Sequence, residues 1–224
     1  NCTDIPDVVE IMDTESLQQF KLQHGENLKI DQAALIRARL FDFLIGDWDR
    51  HTKQWGWVVQ KKANGFEALP LPGDRDNAFF NIGGIIPTII SNKEILPDLQ
   101  SFENEIDYMP GLVMPFDTYF LYTAPRHIFL EEAKKLQNLL TPQTIHKCFE
   151  VWPSEIYEID GDEIFEKISS RRDSLVEYAK KFRAILDEKE LLSEPLKGSE
   201  ELDLSGGLLK CFDCTEEEGV KASK

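Results

Sequence analysis

The sequence predicts a mainly α-helical protein with a small β-hairpin, an α+β fold. Three observations predict it. Residues 32–45, QAALIRARLFDFLI, are apolar almost all round a helix. WGWVVQ and FEALPL flank Asn64-Gly65, a strong hairpin-turn signal. Residues 162–186 carry an apolar stripe at helical spacing, through Ile164, Ile168, Leu175, Tyr178, Ala179, Phe182 and Leu186.

In chain order, Asp13 and Thr14 can cap a short helix that Gly25 ends near His24. Asp31 caps the second helix. Its buried character on most sides makes it a rigid support, and Gly46 stops it. Residues 47–54, DWDRHTKQ, then form a loop. In the hairpin, Trp55, Trp57 and Val59 share one face. Its second strand runs into PGDRDNAFF, so the chain delivers another pair of aspartates on another loop. Residues 81–125 are punctuated by Gly and Pro, which predicts irregular structure with short helices. HIFLEEAKKLQNLL is helical, and Thr141-Pro142 starts a further helix over QTIHKCFEVW. Residues 1–30 read as a lead-in, 31–186 as the body, and 187–224 as an acidic extension or linker.

The 224 residues carry 25 basic and 41 acidic side chains, a net charge of -16. That balance repels phosphate backbones and argues against nucleic acid as a partner; it keeps the surface solvated. A phosphate-bearing ligand would need a metal ion between it and this surface. Four cysteines are too few for a disulfide framework, and Cys211 and Cys214 form one CxxC with no second pair for a zinc site. No apolar run is long enough for a transmembrane segment. The chain starts at Asn1 without Met, so removal of a leader or an upstream domain is expected. Oligomeric state is not legible.

The chemistry concentrates in two acidic loops. Asp49 stands five residues before Gln54, the spacing of the kinase catalytic loop H-R-D-x-x-x-x-N, although the flanking order here is D-R-H. In that loop the acid orients a substrate hydroxyl and the amide binds metal. The second loop can then supply the aspartate that bridges magnesium to phosphates, with Asp74 and Asp76 as candidates. Asp47 can cap backbone amides after Gly46, and Arg50 and His51 are expected to hold the loop. Trp48, Trp55 and Trp57 read as core or hairpin-face residues, and Arg171 and Arg172 as partners of acidic side chains. His24, His127 and His146 have no companions at ligand spacing.

FDFLIGDWDRHTKQW followed by LPLPGDRDNAFF resembles the catalytic half of the atypical protein-kinase-like group. That group includes the secretory-pathway casein kinases, the CotH spore-coat kinases and, more distantly, HipA-type and phosphoinositide kinases. The match is nearest to a family of bacterial envelope proteins, typical of Bacteroidetes, with a GDWDRHxxQW...DRDxAF signature. SSRRDSLVEYAKKF, residues 169–182, also looks like that family's C-terminal helix, so the resemblance covers roughly residues 30–186.

The resemblance implies a kinase-like C-terminal lobe in the cell envelope, acting as a metal-dependent phosphotransferase. It makes Asp49 the catalytic base, Asp74 the likelier metal ligand by the length of DRDNAFF, Asp76 a second ligand, and Gln54 the amide at the metal. Mg2+ or Mn2+, ATP and an unidentified phosphoacceptor are the implied cofactors and partners. Gln54 is one methylene longer than the Asn of many relatives. No glycine-rich phosphate loop or strand-borne lysine paired with a helix glutamate precedes residue 30, so the lobe that grips ATP is expected upstream and this chain alone is expected to be nearly inactive. Two rival readings are a non-catalytic, pseudokinase-like binding or scaffold module, and a D-x-D metal-dependent glycosyltransferase, which both DWD and DRD would match.

Overall fold

The computed structural model describes residues 8–81, 99–192 and 196. Cys2, Cys211 and Cys214, the Gly- and Pro-rich residues 82–98, and most of the acidic extension lie outside them.

Strand β1 (Val8–Asp13) leads directly into α1 (Thr14–His24), whose first turn is capped by Asp13 Oδ1 accepting from Ser16 N at 2.7 Å. A 3₁₀ turn, Gly25–Asn27, connects to β2 (Leu28–Ile30). Helix α2 (Gln32–Ile45) begins where Asp31 accepts from Ala34 N at 2.9 Å, and it ends at Gly46 in the left-handed conformation. The hairpin strands are β3 (Trp55–Lys62) and β4 (Gly65–Pro72). After them come a 3₁₀ turn (Met109–Leu112), α3 (Pro115–Leu121), α4 (Arg126–Leu139) and α5 (Pro142–Phe149). A helical turn at Ser154–Ile156 and a π-helical stretch at Tyr157–Gly161 run into α6 (Asp162–Glu188).

The sheet is larger than a hairpin. Its order is β1-β3-β4-β2, with β1 and β4 antiparallel to β3 and β2 parallel to β4. VVEIMD and LKI are short segments that do not specify strands by themselves; pairing with the hairpin edges makes them strands. Residues 8–30 therefore belong to the sheet and core. Leu17 of α1 is fully buried, and Gln18 exchanges hydrogen bonds with the backbone of Leu196 at 3.2 and 2.7 Å, so the two ends of the described chain meet.

One face of the sheet packs on the helices. Trp55 stacks on Phe116 at 4.8 Å between ring centroids, and Trp57 meets Phe120 at 4.8 Å. Behind them α2, α4 and α6 close the core through Phe43, Phe129 and Phe182, which meet edge to face. Leu35, Ile36, Leu40, Phe43 and Leu44 of α2 are essentially inaccessible, each worth about 1.5–3 kcal/mol of burial. The α6 stripe is buried as its spacing requires, with Ile164 partly covered. Among the described residues no helix is long and apolar enough to cross a membrane.

Candidate active site

Gly46 turns the chain off α2 at φ 70°, and the loop is then gathered around Arg50, whose side chain is fully buried. Arg50 Nη1 donates to the carbonyl oxygens of Gly73 at 2.7 Å and Asp74 at 2.5 Å, while its guanidinium lies over the Trp55 ring at 4.6 Å. Gly73 N also donates to Gln54 O at 2.9 Å. These contacts bring the second acidic loop beside the first. Arg50 is thus the loop support that its sequence position suggests.

Asp49 lies on the first of these loops, its side chain 13% exposed. Its Oδ1 is buried and accepts no hydrogen bond; His51 Nε2 stands 3.6 Å away, too far for one. The Gln54 side chain donates to the carboxylate. Burial raises the Asp49 pKa and Asp76 adds to the rise, opposed by His51 and Arg50. Burial lowers the His51 pKa against the pull of Asp49, and His51 Nδ1 accepts from Lys53 N at 3.2 Å to cap the short 3₁₀ turn Thr52–Gln54. His51 thereby has its tautomer set: Nδ1 is the acceptor, so a neutral ring carries its proton on Nε2, toward Asp49.

Of the two second-loop aspartates, Asp76 is the one whose charge acts on Asp49. Asp74 has φ 30°, and its Oδ1 caps Asp76 N at 3.3 Å, so this carboxylate is spent on shaping the turn. The length of DRDNAFF favours Asp74 as metal ligand; the electrostatic influence on Asp49 favours Asp76, whose Oδ1 also accepts from Asn77 Nδ2 at 3.1 Å. Asp47 is buried beside Arg50, with Oδ2 accepting from Nη1 at 3.4 Å. Burial and the neighbouring Asp42 push its pKa up to about 7.

Sequence reasoning missed the group that underlies both loops. Asp42, on the last turn of α2, is fully buried and faces three arginines. Arg39 Nη1 lies 3.1 Å from Oδ2, Arg50 Nε 3.1 Å from the same oxygen, and Arg75 Nε and Nη2 3.0 and 2.9 Å from Oδ1. The Arg50 contact is an ion pair without hydrogen-bond alignment. A usable signal exists: Arg39 and Asp42 are charges three residues apart on a helix apolar on most sides, and a buried charge needs a partner. Arg171 also departs from expectation. It donates to the carbonyls of Glu103 at 2.6 Å and Phe43 at 2.8 Å and stacks on Phe102, while Arg172 does pair with Asp173.

The available donors can be compared with magnesium's demands. Among the described residues no three or more His, Cys, Asp or Glu side chains form a metal-binding group. Magnesium, however, uses one or two carboxylates completed by phosphate oxygens and water. Asp76 and the Gln54 amide, on two loops joined by the Gly73 N to Gln54 O hydrogen bond, are donors of the type such an open site uses. A separate cavity of about 160 Å³, lined by Phe41, Phe79, Phe149 and Trp152 among others, is apolar apart from the Cys148 thiol and contains no carboxylate, imidazole or amine. No family model, curated protein or solved structure matches the chain.

Proposed function

We propose that the two acidic loops form the catalytic centre of a metal-dependent phosphotransferase of the atypical kinase-like class. One observation carries the reading: a partly buried Asp49 whose Oδ1 has no hydrogen-bond partner, on a loop that Arg50 clamps to the second acidic loop. The resemblance of both loops to that class supports it.

Asp49 is the general base. Its raised pKa makes it a better proton acceptor than an exposed aspartate, and its Oδ1 has no hydrogen-bond partner to displace. Gln54 orients the carboxylate, and His51 bears on it electrostatically. Asp76 and the Gln54 carbonyl would hold Mg2+ or Mn2+, which when bound supplies neutralisation of the nucleotide phosphates. That neutralisation is needed because the chain itself carries a net charge of -16.

The test is ATP-magnesium binding and phosphate transfer by the full-length protein, beside Asp49→Asn and Asp76→Ala. Expected is a metal-dependent thermal shift lost in Asp76→Ala, with transfer lost in both variants. A wild-type protein that binds neither nucleotide nor metal would overturn the proposal and leave the scaffold reading.

A further inference from the structure

We infer that Asp42 is a positioning residue of this site, setting the separation of Asp49 and Asp76 by holding one arginine from each acidic loop. The inference rests on the reading of Asp49 and Asp76 as one cleft.

Each loop arginine that reaches Asp42 is the chain neighbour of an acid: Arg50 follows Asp49, and Arg75 precedes Asp76. The two oxygens are divided between the loops, Oδ1 taking both nitrogens of Arg75 and Oδ2 taking Arg50 and Arg39. Asp42 itself cannot swing. It is fully buried on α2, and Arg39 is fixed from the other side by Asp117 at 2.7 Å and by the carbonyl of Leu112 at 2.7 Å. A rigid helical carboxylate is therefore the common origin from which both loops are measured. Metal and proton-transfer sites need such supports, since outer partners typically change metal affinity about 10–100-fold.

Arg75 separates positioning from folding. Its side chain is 28% exposed and lies over Phe41 at 5.4 Å, whereas Arg39 and Arg50 are core residues. Removing Arg75 takes a positive charge away from the cleft. On charge alone that would tighten cation binding, so weaker binding can come only from displaced ligands.

The experiment compares wild type, Arg75→Gln, Arg75→Lys and Asp42→Asn by Mn2+ titration, thermal unfolding and amide exchange. The diagnostic amides are Ala78, bonded to Arg75 O, and Phe79, bonded to Ile45 O. In Arg75→Gln these amides should exchange about tenfold or more faster, while the α2 amides stay protected. Its Mn2+ affinity should fall about tenfold with little change in Tm. Arg75→Lys keeps the charge but lacks the paired nitrogens, and should recover only part of the affinity. Asp42→Asn should loosen both loops. Unchanged exchange at Ala78 and Phe79 in Arg75→Gln, or unchanged or tighter Mn2+ binding, overturns the inference. Should wild type bind no Mn2+, the phosphotransferase reading fails, and the exchange measurement still decides the role of Asp42.

Discussion

Arg39 and Asp117 form a two-pronged ion pair across the core, with Nε to Oδ1 at 2.7 Å and Nη2 to Oδ2 at 3.1 Å, both side chains no more than 1% exposed. Burial by itself would lower the Arg39 pKa, but Asp117 and Asp42 outweigh it and hold the guanidinium charged. The pair joins α2 to α3, and through Asp42 it reaches both acidic loops.

Breaking this pair should cost far more than replacing it. Arg39→Met leaves two buried carboxylates short of a partner, a loss of about 3–5 kcal/mol. Arg39→Met combined with Asp117→Leu should recover about half of that or more, because no charge is stranded at α3. Urea unfolding with an unchanged m-value measures both. A double variant that costs the sum of Arg39→Met and Asp117→Leu taken singly would show that the pair is not energetically coupled.

Asp47 gives the protein a pH-dependent stability. Its folded pKa of about 7 stands well above the ordinary aspartate value, so the folded state binds the extra proton. The stabilising contribution is full below the unfolded pKa of about 3.9 and is lost as pH rises through 7. Asp47→Asn should therefore match wild type near pH 4 and exceed it at pH 8. A tenfold difference in proton affinity between the folded and unfolded states is worth about 1.4 kcal/mol, and a domain of this size gains about 2–4 °C in Tm per kcal/mol. Melting curves from pH 4 to pH 8 test it; parallel curves would mean that Asp47 titrates normally.

Asp49 should show opposed effects on stability and on activity. Burial raises its pKa, so the ionised form is a liability to the fold at neutral pH. Asp49→Asn should raise Tm at pH 7 while lowering phosphate transfer about 10²–10⁴-fold in the intact enzyme. A variant that is both less stable and fully active would point to a purely structural aspartate.

Gly46 and Gly25 should respond differently to alanine. Both have positive φ, 70° and 56°. A Cβ on Gly46 would lie 2.6 Å from Phe102 Cδ2, inside the core, whereas one on Gly25 meets nothing within 4 Å. Gly25→Ala should cost about 1 kcal/mol from backbone strain alone. Gly46→Ala adds the overpacking penalty of about 1–3 kcal/mol and should also disturb metal binding, because the loop bearing Asp49 starts there. Chemical denaturation of the two variants side by side checks the difference.

Local signals carried much of the architecture. Asp13 and Asp31 mark helix starts, Gly25 and Gly46 mark their ends, and Asn64-Gly65 marks the hairpin, because each acts through backbone chemistry within a few residues. β1 and β2 were not legible, since three to six residues of backbone become a strand only when a partner edge is supplied.

The same division runs through the site. The sequence by itself determined that Asp47, Asp49, Arg50, His51 and Gln54 leave a rigid helix together, and that a hairpin returns Asp74, Arg75 and Asp76 toward them. Only the tertiary structure decided which carboxylate does what. Asp74 caps its own turn, the charge of Asp76 bears on Asp49, Asp47 is buried beside Arg50, and Asp42 collects three arginines from a helix apolar on most sides. Side-chain direction and burial are set by contacts between segments far apart in the chain, Asp42 and Asp117 meeting through Arg39. Spacing along a chain fixes which residues are near in sequence; the energies of buried charges depend on which are near in space.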